Sequence, residues 1–243
     1  MNMSFAPFLS AMDAERAHRS LARLRKHGLH RLALTGGMAI ELHRLRLGFA
    51  PRIRPLNDID FLVDFFDDIP QTLSTDLLFR HIHPHDPPAR TLLQCVDPQT
   101  AVRIDVFRAY GETMSRAIEV ELHGAAIRIV SIEDLTARAA RLCMDLALDV
   151  PTPAKHARDL LCLLPIVGIA TMEPVWREHR KESHPESFAS AAALLRALID
   201  NRRQLQILPA NSHDVSAHCS RCQATQAFPL ADSGQILSLL AYC

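Results

Sequence analysis

LNDIDFLV, residues 56–63, places two aspartates two positions apart inside a run of Ile, Phe, Leu and Val. The alternation, and the branched and aromatic residues, predict a β-strand. Successive side chains on a strand point to opposite faces, so Asp58 and Asp60 share one. Carboxylates held that close repel each other, and burying them is costly unless something positive meets them. Hard divalent ions such as Mg²⁺ bind carboxylate oxygens together with substrate phosphates. VRIDVF at 102–107 supplies a third acid, Asp105, set among Ile104, Val106 and Phe107 in another strand pattern. Plainer roles stand beside this one: Asp58 capping a turn with Asn57, and Asp105 pairing with Arg103 or Arg108.

Upstream, RLALTGG (31–37) is a short apolar strand running into a glycine pair, and MAIELHRLRL (38–47) has helical spacing. Glycine lets backbone N–H groups approach a phosphate, and a helix N-terminus adds partial positive charge. A glycine pair alone marks little more than a turn. The order strand, Gly-Gly, helix, strand with Asp-x-Asp, then a strand with one buried Asp is far more specific.

Further out, residues 13–27 read as a helix stopped by Gly28. PQTLSTDLLFRHI (70–82) has the spacing of a helix opening on Pro70. RTLLQCVD (90–97) and AVRIDVFRAY (101–110) look like strands joined by the turn DPQT, and VELHGAAIRIV (120–130) like a strand or hairpin arm. SIED (131–134) is a capping box, with Ser131 and Asp134 opening a long helix to about Leu148. Beyond Pro153 the pattern is helical and amphipathic, with no evident strand. The fold class is therefore α/β (α+β), divided as 1–150, a helical region 151–208 and a Cys-containing tail 209–243.

With 48% hydrophobic and 22% charged residues the chain is globular, not disordered. Its apolar runs are too short for a membrane span. The first twenty residues lack a basic start followed by an apolar core, so the expected location is the cytoplasm. Six cysteines in 243 residues do not make a disulfide scaffold. Net charge is zero but uneven: residues 1–57 hold ten Lys/Arg against three acids, a surplus of seven that the remainder offsets. A basic segment beside an acidic motif suits a polyanionic substrate. For Arg16 to Lys26, a solvated helix face is the simpler account.

LTGGMAIEL (34–42), NDIDFLV (57–63), VRIDVF (102–107) and VSIEDLTAR (130–138) together resemble the DNA polymerase β-like nucleotidyltransferase superfamily over roughly residues 30–165. Gly36-Gly37-Met38-Ala39 is similar to the G-G-x-A of the minimal, abortive-infection toxin-type prokaryotic branch. The resemblance implies a short mixed sheet flanked by helices and followed by a helical domain. It implies Asp58, Asp60 and Asp105 as catalytic Mg²⁺ ligands, with Asp105 helping to activate the attacking hydroxyl. It implies Thr35, Gly36 and Gly37 at the nucleotide. The activity implied is transfer of a nucleoside monophosphate from NTP to a hydroxyl of a tRNA, a small molecule or a protein, releasing pyrophosphate. An antitoxin is an implied partner; a catalytically silent binding or regulatory protein is the alternative.

The chain departs from the pattern twice. Twenty residues separate Gly37 from Asp58, and the excess, LRLGFAPRIRPL (45–56), is a basic stretch. Its Arg52 and Arg54 either reach a triphosphate or sit on a solvated loop. Secondly, Arg138 stands where a lysine is common, and Lys155 comes later with Asp159 one turn on, as a nucleotide contact or an ordinary i,i+4 ion pair. In the tail, Cys219 and Cys222 have knuckle spacing, and with Cys243 and His218 (His213 being the other donor) would close a structural Zn²⁺ site. A redox pair or reduced thiols are the other accounts. Cys95, Cys143 and Cys162 read as core residues, and HIHPH at 81–85 as an exposed loop.

Overall fold

The structure, a computed structural model, describes residues 2–81 and 92–206. The cysteine tail, with Cys219, Cys222, Cys243, His213 and His218, lies outside the described residues, as do His83 and His85. The chain divides into two compact units, one of residues 2–109 with 117–129, the other of 110–116 with 130–206. The expected boundary near 150 thus falls within the second unit.

Among the described residues of the first unit, eight strands form one mixed sheet: β1 (Asn2–Met3), β2 (Ala33–Leu34), β3 (Asp58–Val63), β4 (Leu78–His81), β5 (Leu92–Asp97), β6 (Val102–Arg108), β7 (Ile118–Leu122) and β8 (Ala125–Ile129). Their order across the sheet is β1-β7-β8-β2-β3-β6-β5-β4. β3 and β6 lie side by side and parallel, pairing Asp58 with Arg103 and Asp60 with Asp105. β5 and β6 make an antiparallel hairpin across the DPQT turn, and β7 and β8 make another. The period-2 pattern holds: Ile59, Phe61, Ile104 and Val106 are buried, while Asp58 and Asp60 are only half-buried.

Two helices complete this unit. α1 (Ala11–Arg25) is N-capped by Ser10, whose Oγ accepts from the Asp13 N–H at 3.1 Å, and buries Leu21 and Leu24. α2 (Gly36–Arg46) begins at the glycine pair and packs on β3. The helix expected over 70–82 does not form: residues 71–75 make a short 3₁₀ turn and 78–81 the edge strand β4. Leu73 and Leu77 are buried at the helical spacing that suggested it. However, Ser74 Oγ donates to the Gln71 carbonyl and Thr75 Oγ1 to that of Thr72, local bonds that compete with a helical ladder.

The second unit is helical: α3 (Ile132–Cys143), α4 (Ala154–Leu163), α5 (Ile169–His179) and α6 (Phe188–Asn201). α3 stops earlier than expected, passing into a 3₁₀ turn over 144–148. β9 (Thr152–Pro153) and β10 (Leu205–Gln206) form a small parallel pair where no strand was expected. Cys95 and Cys143 are buried as expected, whereas Cys162 is half-buried.

Candidate active site

The parallel register of β3 and β6 builds the acidic end of the site. Asp60 and Asp105 are direct cross-strand neighbours, and Asp58 shares their face two residues away. One carboxylate oxygen from each of the three lies within 4.8 Å of the others. Asp105 is the most enclosed, at 5% exposure. It accepts from Gln94 Nε2 at 3.0 Å, across the β5–β6 ladder. Three hard oxygen donors converging in this way are a donor set that suits a hard divalent cation.

Arg103, one of the two arginines expected as a plain partner for Asp105, also reaches Asp58. Opposite Asp58 in the register, it donates from Nη2 to Asp58 Oδ2, and its Nε is 3.3 Å from Asp105 Oδ2. Burial works against its charge, but Asp105, Asp58 and Asp60 outweigh burial and raise its pKa. Arg103 is thus a built-in counter-ion to the triad. Replacing it with methionine is expected to destabilise the protein in EDTA by about 1–3 kcal/mol, the usual cost of losing a charged hydrogen bond. Excess Mn²⁺ should restore most of that loss. Thermal melts with and without metal read both effects; equal loss in both conditions would refute the counter-ion role.

The opposite end of the site is positive. Thr35 precedes α2, its N–H donating to the Asp60 carbonyl at 2.8 Å, which ties the glycine turn to β3. Gly36 has φ +66°, and a Cβ there would collide with Asp60 Oδ2 while standing 3.0 Å from its Cγ. At Gly37 a Cβ would stand 2.7 Å from Arg54 Nη1. Adjacent glycines therefore make room for a carboxylate and a guanidinium in turn. Thr35 Oγ1 is buried without a hydrogen-bond partner among the described residues.

The basic loop is fastened at both arginines. The Arg54 N–H donates to the Phe8 carbonyl at 2.8 Å and its Nε to Glu41 Oε1 at 2.8 Å. Arg52 reaches the same Glu41 through its backbone N–H and its Nε. Sequence reasoning missed Glu41. Its trace was there: an acid in a helix stretch where every residue from Met38 to His43 is buried. Gln94, a polar residue inside TLLQCVD, left a similar trace.

The structure thus brings together Asp58, Asp60, Asp105, Thr35, Gly36, Gly37 and Arg54. Lys155 belongs to the second unit, exposed on α4, with Asp159 buried one turn on. Burial, and then the charge of Lys155, push the neighbouring His156 down to about 4.

The class this defines is a mixed α/β protein with a strand–glycine–helix turn beside three acids on parallel strands. No family model and no curated protein matches the chain. Among solved structures it is similar to the antibiotic-resistance factor ANT(2'')-Ia, at 16% identity over 77% of this chain and 91% of that one, TM-score 0.42. It is similar to JHP933 from Helicobacter pylori, at 16% identity over 85% and 88%, TM-score 0.44. A third is an antigenic nucleotidyltransferase-like protein from Paracoccidioides brasiliensis, at 14% identity over 82% and 91%, TM-score 0.42. Among the described residues no helix is long and apolar enough to cross a membrane.

Proposed function

We propose that the chain is a divalent-metal-dependent nucleotidyltransferase, moving a nucleoside monophosphate from NTP to a hydroxyl acceptor with release of pyrophosphate. One observation carries this: Gly36 packs on Asp60 and Gly37 on Arg54, so a cation-holding group and an anion-holding group meet adjacent residues of one turn. A metal-bound polyphosphate needs that adjacency. Asp58, Asp60 and Asp105 would hold Mg²⁺. When bound, Mg²⁺ lowers the pKa of the attacking hydroxyl and offsets charge developing on the phosphates. Arg54 and the amino end of α2 would hold the β- and γ-phosphates, which depart as pyrophosphate. The acceptor oxygen forms a bond to the α-phosphorus as the bridging P–O bond breaks, and the enclosed Asp105 is placed to accept the hydroxyl proton. Positioning and charge supply most of the acceleration in such transfers.

The acceptor would be the hydroxyl of a tRNA, a small molecule or a protein. Membership of the toxin-type branch, with an antitoxin as partner, rests on the glycine motif. A structural Zn²⁺ in the tail rests on cysteine spacing. The alternative, a silent binding protein on the same fold, has one observation on its side: Arg103 satisfies Asp58 and Asp105 without any metal.

Calorimetry with each of the four NTPs, with and without Mg²⁺, separates the two. Wild type is expected to bind at least one NTP in a Mg²⁺-dependent manner. The double variant Asp58→Ala/Asp60→Ala is expected to lose that dependence. Equal NTP affinity in both proteins would favour the silent binder, and no binding at all would remove the nucleotide site.

A further inference from the structure

Glu41 does more than neutralise a helix. Its carboxylate has no exposed surface, yet three guanidiniums reach it. Arg52 Nη2 lies 2.7 Å and Arg54 Nε 2.8 Å from Oε1, and Arg44 Nε lies 3.3 Å from Oε2. Burial alone would raise the Glu41 carboxyl; the Arg52 N–H and the Arg54 guanidinium outweigh burial and hold it below the usual carboxylate range.

The spacing explains where the arginine charge is delivered. Glu41 stands four residues after Gly37 on α2, so both lie on one helix face. Arg54 bridges them, with Nε on Glu41 and Nη1 against Gly37. The loop carrying Arg52 and Arg54 has no helix or strand of its own between α2 and β3. One acid rooted in the helix holds both arginine heads. The unpartnered Thr35 Oγ1, buried at the same helix start, is a second sign that a polar ligand completes this end.

We infer that Glu41 is the positioning residue for the polyphosphate end of the site, setting the Arg52 and Arg54 guanidiniums against the amino end of α2. This rests on the nucleotide site proposed above, but it is separable from it, because position and charge predict opposite signs. Removing a buried negative charge beside an anion site tightens anion binding if charge alone counts. It weakens binding if the acid's work is to hold the arginines in place.

The test is calorimetry of inorganic tripolyphosphate with excess Mg²⁺ on wild type, Glu41→Gln, Glu41→Asp, Arg54→Lys and Arg52→Ala/Arg54→Ala, each first checked for a cooperative melt. Both Glu41 variants are expected to weaken binding about tenfold, the scale of a lost charge-assisted hydrogen bond. Glu41→Asp keeps the charge and withdraws it by one methylene. In the Arg52→Ala/Arg54→Ala background, Glu41→Asp is expected to have no further effect. Tighter binding by Glu41→Gln, or unchanged binding by Glu41→Asp, overturns the inference. If neither Glu41 variant folds, Arg54→Lys decides it: a similar loss supports the inference, and wild-type affinity with the charge kept and the fork removed overturns it. Tripolyphosphate binding by wild type that is insensitive to Glu41→Asp removes only the positioning role. Absence of binding by wild type removes the nucleotide site and this role together.

Discussion

Gly36→Ala is expected to lose divalent-metal binding by roughly 100-fold, the upper end of what disturbing a ligand's support usually does. Two effects combine. The residue sits at φ +66°, a left-handed conformation that costs an alanine about 1–2 kcal/mol. Its new methyl would also occupy the space of the Asp60 carboxylate, whose Cβ and Cγ lie 3.1 and 3.0 Å from the added atom. Asp60 starts from a strand fixed by its β6 neighbour, so the carboxylate must rotate away from Asp105. Gly37→Ala is the control. There the nearest atoms belong to the far end of the Arg54 side chain, which can shift. It should keep metal affinity while weakening tripolyphosphate binding. Mn²⁺ titration and tripolyphosphate calorimetry on both variants check the contrast; a Gly36→Ala protein with wild-type Mn²⁺ affinity would sink it.

In the second unit the largest loss is expected at Asp134. Its carboxylate has no exposed surface and accepts from Arg116 Nε at 2.9 Å and Nη2 at 2.8 Å. Ser131 Oγ, Thr113 Oγ1 and His179 Nε2 lie at 2.5, 2.8 and 2.9 Å. Removing one partner of a buried pair strands the other, so Asp134→Ala should cost about 3–5 kcal/mol in urea unfolding. Among the described residues Arg116 would keep Glu178, to which its Nη2 donates at 2.7 Å. The pH profile follows from the same contacts. Burial would raise the Asp134 carboxyl, but Arg116, His179, Ser131 and Thr113 hold it far below the usual carboxylate range. A depressed pKa adds stability above the unfolded value of about 4 and loses it as pH falls towards the native one. The stability gap between wild type and Asp134→Asn should therefore be constant above pH 5 and shrink below pH 4. A gap that widens in acid would contradict this.

Much of the first unit was legible because strands write a period of two. IDFLV, VRIDVF and the β5–β6 pair appear where alternation put them, and the shared face of Asp58 and Asp60 follows from it; the stretch 120–130, read as one strand or hairpin arm, instead turns at His123-Gly124 between β7 and β8. The capping box was legible too: Ser131 Oγ accepts from the Asp134 N–H at 3.0 Å. The stretch 70–82 misled because Leu73 and Leu77 satisfy helical spacing, while the Ser and Thr side chains that end the turn act over three residues and leave no period. Long-range partners were the other blind spot. Arg103 was legible only as one of two arginines that Asp105 could meet, and Glu41 not at all. The β3–β6 register and the return of the basic loop to α2 show what each one faces.

The parallel pairing of β3 and β6 also has a consequence in time. Asp58 and its partner Arg103 are 45 residues apart in the chain. A parallel pair cannot close through a tight turn, so the acids meet only after the intervening segment, including the β5–β6 hairpin, has been threaded into place. An unfolded chain therefore brings only two of the three acids of this site, Asp58 and Asp60, from one neighbourhood. On the proposed function, strong metal binding would arrive with the long-range pairing of β3 and β6 rather than with collapse, and its appearance during refolding would be a clock for that step.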